Sequence, residues 1–267
     1  MKKMFQIKAK LLYNKRIKGD YLYCALKAPQ IAHHAHPGQF VNIKLSDTFE
    51  PLLRRPFSIH WVKGSNIEIL YEVVGKGTEI LSQKKTGEYL DVIGPLGNGF
   101  NYKSEVRNRE RGILVGGGMG VAPLLFLAEK LAEQKIMILI GAKTKDQLLC
   151  EMEFKQLGYE VKISTDDGSR GFKGRVTDLL KCLLSTIPAC RTGRDYRLST
   201  IYACGPKPML KEINTLSKKY KIPAQVSLEE HMACGIGACL GCVVKTSEGF
   251  KRVCKEGPVF NADEIIW

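Results

Sequence analysis

Residues 112–134 read GILVGGGMGVAPLLFLAEKLAEQ, and the order of elements in this stretch decides the fold. An apolar run, Ile113-Leu114-Val115, leads into Gly116-Gly117-Gly118-Met119-Gly120. Pro123 follows, a good early-helix residue because an N–H in the first helical turn has no intrahelical partner to lose. An amphipathic helix then runs on. Downstream, KIMILIGAKT (135–144) is a second buried strand and DQLLCEMEFKQLG (146–158) another helix. YEVKISTDDGS, RVTDLLKCLLSTI, LSTIYACGP and PMLKEINTLSKKYK continue the alternation to residue 221. Strands alternating with helices predict a parallel sheet covered on both faces.

Upstream, the texture is different. FQIKAKLLYNKRIKGDYLYCALKA (5–28) holds two short alternating runs around Asn14–Gly19. QFVNIKLS, FSIHWVK, NIEILYEVV and EYLDVIGP follow, punctuated by Gly and Pro, which predicts an antiparallel barrel or sandwich. From about Gln225 a glycine- and cysteine-rich tail begins. The expected organisation is therefore a β-barrel domain over 1–103, an α/β domain over 104–224 and a small cysteine-rich segment over 225–267.

That tail carries the most specific chemistry. Cys234, Cys239, Cys242 and Cys254 stand in the spacing C-x4-C-x2-C…C, which is that of a plant-type [2Fe–2S] ligand set. Gly235, Gly237, Ala238 and Gly241 between them are small. A loop that wraps a cluster must turn tightly and aim N–H groups at sulfur, and glycine reaches the dihedrals this needs. Structural zinc is the rival, but zinc cysteines usually come as two well-separated, short-spaced pairs. A redox dithiol at Cys239 and Cys242 is another, and it leaves Cys234 and Cys254 unexplained.

Composition narrows the classes. The chain has 267 residues, 44 % of them hydrophobic, without an eighteen-residue apolar run, so no membrane span is expected. The basic N-terminus has no apolar signal core. Nine cysteines without a secretion signal point to a reducing, cytoplasmic setting. Of those outside the tail motif, Cys24, Cys150 and Cys182 are expected in the core, and Cys190 and Cys204 remain. The net charge of +14 comes from scattered lysines without aromatic interleaving. It fits attraction of dinucleotide phosphates or steering of an acidic partner better than nucleic acid.

Further motifs sit where ligands bind. The glycine turn Gly116–Gly120 opens a helix after a strand, the place for a dinucleotide pyrophosphate. It lacks the G-x-G-x-x-G pattern, and a tight turn without ligand is the alternative. Cys204-Gly205-Pro206 ends the last apolar strand, so both turns are expected to border one crevice at the carboxyl ends of the strands. There Cys204 packs against a nicotinamide or is simply buried. Arg55-Pro56-Phe57-Ser58 opens a barrel strand, and arginine there can meet a phosphate through its fork, although a surface arginine is commoner. Gly75-Lys76-Gly77-Thr78 opens the short helix TEILSQ and offers N–H groups and a hydroxyl to an anion. The histidines His33, His34, His36 and His60 have no ligand constellation around them.

The order R-P-F-S, G-K-G-T, G-P-L-G-N-G-F, G-G-G-M-G-V-A-P and C-G-P resembles the ferredoxin–NADP reductase superfamily. Its tail, S-L-E-E-H-M-A-C-G-I-G-A-C-L-G-C-V-V with V-C-K-E-G-P-V-F, resembles the electron-transfer subunits of type 1B dihydroorotate dehydrogenases. T-D-D-G-S at Thr165–Ser169 fits as well. The resemblance covers nearly the whole chain. It implies FAD on the barrel, NAD on the α/β domain and one [2Fe–2S] cluster facing a partner. It implies that Arg55, Pro56, Phe57 and Ser58, with Leu70, Tyr71 and Glu72, hold FAD. Gly77 and Thr78 match its flavin pyrophosphate turn, and Gly116, Gly117, Gly118, Met119, Gly120, Cys204, Gly205 and Pro206 match the NAD side.

The implied partner is an FMN-containing dihydroorotate dehydrogenase catalytic subunit, two of each in a heterotetramer, serving pyrimidine (UMP) biosynthesis. The chain has no catalytic residue of its own for dihydroorotate. Two other readings stand beside this one. One is a related flavin and iron–sulfur NAD(P)H–ferredoxin oxidoreductase subunit of a bifurcating complex, in which an aspartate replaces one cysteine. The other is a zinc-stabilised nucleotide-binding regulatory module.

Overall fold

Alternating burial builds the first sheet. In β1 (Phe5–Lys18) Ala9 and Leu11 are buried while Lys8 and Lys10, which alternate with them, are exposed. β2 (Tyr21–Lys27) returns along it, and α1 (Pro29–His34), β3 (Phe40–Lys44), β4 (Arg55–Ser58), β5 (Trp61–Lys63), β6 (Asn66–Glu72), α2 (Lys76–Gln83) and β7 (Tyr89–Leu96) follow. The sheet order is β4-β3-β7-β1-β2-β6-β5, with every pair antiparallel. Phe57 of β4 meets Tyr71 of β6 edge-on at 5.9 Å, so strands five places apart in the order approach and the sheet curls into a half-barrel. Leu11, Leu26, Ile31, Ile43, Ile67, Ile69 and Leu81 fill it. Asn14 ties α2 to β1 and β6: its Nδ2 donates to the Leu81 carbonyl at 2.7 Å, and its Oδ1 accepts from the Tyr71 hydroxyl at 2.9 Å.

The computed structural model describes residues 3–102, 111–132, 135–186 and 198–267. The half-barrel groups with Glu229–Val244 and Phe250–Pro258 in one compact unit. The second unit comprises Phe100–Leu228, Lys245–Gly249 and Val259–Trp267. The 103/104 boundary expected from the sequence, and Cys190, lie outside the described residues.

In the second unit β8 (Arg111–Gly117) passes through a 3-10 turn (Gly118–Val121) into α3 (Ala122–Lys130). β9 (Lys135–Ala142), α4 (Glu151–Gln156), β10 (Glu160–Thr165), β11 (Phe172–Lys173), α5 (Val176–Thr186), β12 (Leu198–Cys204), α6 (Lys207–Tyr220) and β13 (Ala224–Ser227) continue the alternation. Strands β14 (Val243–Thr246) and β15 (Gly249–Arg252) form a separate two-stranded sheet, and β16 (Val259–Asn261) comes last. The order β11-β10-β9-β8-β12-β13-β16 is parallel up to β13, and β16 adds an antiparallel edge. Every residue of α3 from Ala122 to Ala128 is buried, as expected of a helix enclosed on all sides. Among the described residues no helix is long and apolar enough to cross a membrane.

Four local expectations change. β1 is one continuous strand through Asn14, and its turn is confined to Gly19 and Asp20, with Gly19 at φ +47°. FSIHWVK divides between β4 and β5. α4 is only six residues long because Cys150 precedes it at φ +62°, outside helical dihedrals. Cys182 is exposed on α5, while Cys24 and Cys150 are buried.

Phe126, 1 % exposed, tests how far the second unit depends on α3. Phe126→Ala is expected to cost about 3–5 kcal/mol, seen as a fall in the melting temperature by circular dichroism.

Candidate redox site

The four tail cysteines come in two pairs. The N–H groups of Ala238 and Cys239 donate to Cys234 Sγ at 3.3 and 3.4 Å, and the Cys239 thiol also bonds Cys234. The Cys254 N–H donates to Cys242 Sγ at 3.4 Å, and those two thiols bond each other. Gly235 and Gly237 lie at φ +69° and +84°, and this is the conformation that aims successive amides inward. Cys239 is exposed, Cys234 half-buried, and Cys242 and Cys254 buried.

Backbone donors favour charge on Cys234. Burial alone would raise the Cys234 thiol, but the N–H groups of Cys239, Ile236 and Ala238 and the Cys239 thiol bring it down to about 6. Burial and the Cys242 thiol push Cys254 up to about 12. Two thiol pairs suit two irons taking two thiolates each, whereas structural zinc needs four ligands on one ion. Among the described residues no group of three or more Cys, His, Asp or Glu side chains is placed to hold a single ion.

Further contacts hold the segment. Arg252 Nη1 donates to the Gly237 carbonyl at 2.8 Å, joining the first cysteine loop to the residues around Cys254. Its Nε and its backbone N–H reach Glu256 Oε2 at 3.0 and 2.8 Å, and its Nη2 bonds Oε1. On the half-barrel side, the Asn98 N–H and Nδ2 donate to the Gly257 and Glu256 carbonyls at 2.5 and 2.7 Å. Asn42 Nδ2 donates to the Cys234 carbonyl at 3.2 Å. An asparagine among the apolar residues of QFVNIKLS was the available signal.

The same unit gathers the R-P-F-S and G-K-G-T motifs. Phe57 is buried on β4, with Arg55, Pro56 and Ser58 half-buried around it; Leu70 and Tyr71 are buried on β6 and Glu72 is half-buried. A β-carbon on Gly77 would stand 3.0 Å from Arg55 Nε, so glycine is what lets Arg55 lie against the first turn of α2. The Thr78 hydroxyl is engaged by its own turn: it accepts from the Val74 and Gly75 N–H groups at 2.9 and 3.2 Å and donates to the Gly75 carbonyl at 3.0 Å. Arg54 pairs with Asp91 at 2.9 Å. Arg55 is bonded through one nitrogen to the Leu53 carbonyl at 2.7 Å.

In the second unit the two glycine turns touch. A β-carbon on Gly120 would stand 2.1 Å from the Cys204 carbonyl oxygen, and one on Gly205 3.2 Å from the Gly117 Cα. Gly116 and Gly117 are equally closed, against Val121 and Met209. Gly118 differs: it lies at φ +56°, and a β-carbon there would meet nothing within 4 Å. Met119 and Cys204 are half-buried and Pro206 exposed. The T-D-D-G-S turn packs beside the end of β9, with the Asp166 and Asp167 N–H groups donating to the Ala142 and Lys143 carbonyls at 3.1 and 3.2 Å. The Lys145 N–H donates to Ser169 Oγ at 2.8 Å.

An antiparallel half-barrel, a parallel nucleotide-type sheet and a paired-cysteine segment define an oxidoreductase of the ferredoxin-reductase fold with an iron–sulfur tail. Residues 229–266 match the family model of the iron–sulfur cluster binding domain of dihydroorotate dehydrogenase B, and residues 114–215 match the oxidoreductase NAD-binding domain. A relative in Desulforamulus reducens, the electron transfer subunit of dihydroorotate dehydrogenase B (NAD(+)), is 42% identical over 100% of both chains. One of the same description in Caldanaerobacter subterraneus is 41% identical over 98% of this chain and 99% of its own. This chain belongs to the family of dihydroorotate dehydrogenase B electron transfer subunits.

Solved structures agree with the fold. A chain of the NADH-dependent reduced ferredoxin–NADP oxidoreductase, a flavin-based bifurcating system, superposes with TM-score 0.82 at 34% identity, covering 97% of this chain and 90% of its own. A ferredoxin NADP+ reductase from Neisseria gonorrhoeae with bound FAD and NADP gives TM-score 0.66 at 16% identity over 80% of this chain and 91% of its own, a likeness of fold alone.

The open space over Gly118 sets a clean test of the nucleotide turn. Gly118→Ala is expected to cost about 1 kcal/mol of stability for its left-handed backbone and to raise the KM for NADH in a dye-reduction assay, its methyl group standing in the ligand's space. Gly120→Ala, closed by the Cys204 carbonyl, is expected to lower the melting temperature instead.

Proposed function

We propose that this chain is the electron-transfer half of an NAD-dependent dihydroorotate dehydrogenase. A catalytic partner subunit carrying FMN oxidises dihydroorotate to orotate, and the electrons leave through this chain to NAD+. Two copies of each chain form the complex, which acts in the cytoplasm in pyrimidine biosynthesis. The observation that carries this reading is the two-by-two pairing of Cys234 with Cys239 and of Cys242 with Cys254, in one compact unit with the R-P-F-S strand. When bound, the [2Fe–2S] cluster supplies one-electron steps, NAD the hydride step, and FAD, which can do either, joins them.

The residues divide the work. Cys234, Cys239, Cys242 and Cys254 are the cluster ligands, and the amides of Ala238, Cys239 and Cys254 stabilise charge on sulfur. Arg55 offers its guanidinium to a flavin phosphate beside the first turn of α2. Pro56, Phe57 and Ser58, with Leu70, Tyr71 and Glu72, line the flavin, and Gly77 and Thr78 shape the pyrophosphate turn. Burial pushes the Tyr71 phenol well above its ordinary range, so this side chain stays neutral. In the second unit Gly116, Gly117, Gly118, Met119 and Gly120 bring N–H groups to a pyrophosphate at the start of α3. Cys204, Gly205 and Pro206 close the nicotinamide side. The bifurcating type of complex is the second reading, favoured by the 34% identity to the ferredoxin–NADP oxidoreductase chain.

The purified chain is expected to hold about one FAD and one cluster, since one motif set of each is present. Iron, sulfide and flavin assays check this, and stoichiometric zinc without sulfide would overturn it. Cys239→Ser should lose the cluster and keep FAD, while the same change at buried Cys24 should do neither.

Alone, the chain should oxidise NADH with artificial acceptors, in preference to NADPH, and leave dihydroorotate untouched. Adding the FMN subunit should create NAD-dependent dihydroorotate oxidation. Oxidation of dihydroorotate by this chain alone would refute the reading. Transfer to ferredoxin with no response to the FMN subunit would favour the bifurcating one.

A further inference from the structure

We propose that Asn42 is a positioning residue that fixes the first cluster cysteine, Cys234, against the flavin-binding half-barrel and so sets how fast electrons pass between the two redox groups. This inference rests on the proposed function and deepens it. Asn42 is fully buried in β3. Its cross-strand neighbour in β4 is Pro56, the second residue of R-P-F-S, and in β7 it is Ile93. Its Nδ2 donates to the Cys234 carbonyl at 3.2 Å. Gly235 lies directly on the amide: a β-carbon there would stand 2.5 Å from Nδ2.

The amide is a costly choice for that place. Asn42 Oδ1 is buried and has no hydrogen-bond partner among the described residues, and an unsatisfied buried acceptor destabilises a fold. Leucine has the same branched heavy-atom skeleton and would leave no orphan. Packing therefore does not account for Asn42, whereas the bond to Cys234 does. This bond joins the strand paired with R-P-F-S to the proposed cluster ligand Cys234 through a single side chain. Outer contacts of this kind orient metal ligands. Electron transfer falls steeply with separation, so a small shift of Cys234 changes its rate while both cofactors remain bound.

The test uses the full chain and two variants, Asn42→Leu and Asn42→Asp. Each is mixed anaerobically with NADH, whose hydride carries two electrons to the flavin; one electron passes on to the cluster and the other stays with the flavin. Cluster reduction is followed by rapid-freeze EPR, and FAD, iron and sulfide are assayed in parallel. The expected result for Asn42→Leu is parental FAD and iron, an altered EPR line shape and cluster reduction slowed by about tenfold, as for other outer-shell changes.

Asn42→Asp keeps the size and, as the carboxylate, removes the donor, so it should be equally slow at a pH where it is ionised. Parental rate and line shape in either variant that retains its cofactors overturns the inference. If Asn42→Leu loses both cofactors, Asn42→Asp decides alone. Loss of FAD in both variants makes Asn42 a core residue and also overturns it. A parent chain without iron and sulfide would defeat the functional reading, and this inference with it.

Discussion

Sulfurs that take on negative charge side by side repel each other, and the chain can offset that charge before any iron does. It does so with backbone. The amides of Ile236, Ala238 and Cys239 converge on Cys234 Sγ and that of Cys254 reaches Cys242 Sγ, and left-handed dihedrals in the first loop help aim its amides inward. Gly235 and Gly237 allow that winding, and neighbouring side chains close on the space they leave: Asn42 over Gly235 and Lys255 over Gly237. The same constraint explains Arg252. Its guanidinium bonds the Gly237 carbonyl and the Glu256 carboxylate, so it joins the two chain segments that carry the cysteines. Charge near the sulfurs is thereby balanced inside the segment. Arg252, which flanks Cys254 in sequence, is half-buried and bonded within its own segment.

Close approach is the rule in the second unit too, for a different purpose. Gly116, Gly117 and Gly120 have no room for a side chain, because Val121, Met209 and the Cys204 carbonyl occupy it. Only Gly118 opens to free space. A run of glycines thus separates into three that let side chains or backbone close directly on them and one that leaves its surroundings clear. Pyrophosphate recognition by helix N–H groups needs both: a turn held rigidly and an unobstructed approach.

Much of this was legible in the sequence because it depends on local pattern. The strand-turn-helix order after Arg111, the antiparallel texture before Tyr102 and the cysteine spacing all follow from periodicity and from the geometry glycine permits. What was hidden depends on distant contacts. Nothing near Asn42 says that it reaches Cys234, 192 residues on. Nothing in the tail shows that β16 would complete a sheet begun at β8. α4 reads as a long helix because its apolar spacing is helical, yet one residue, Cys150 in a left-handed conformation, breaks it. The Thr78 hydroxyl reads as a ligand for an anion, but its own turn uses it.

The cysteine segment is part of the half-barrel's compact unit rather than an independent module. Asn98 and Asn42 bond it from two places on the barrel, just after β7 and in the middle of β3. A small iron–sulfur domain on a flexible linker would let the distance from its cluster to a flavin wander, and single-electron transfer would vary with it. Here three backbone carbonyls of the segment, those of Cys234, Glu256 and Gly257, are held by barrel side chain and backbone donors. Carbonyl contacts constrain the path of the chain without touching the thiols, leaving all four sulfurs to the ligand role proposed for them. The arrangement separates the two demands on the segment: side chains bind, and backbone keeps them in place.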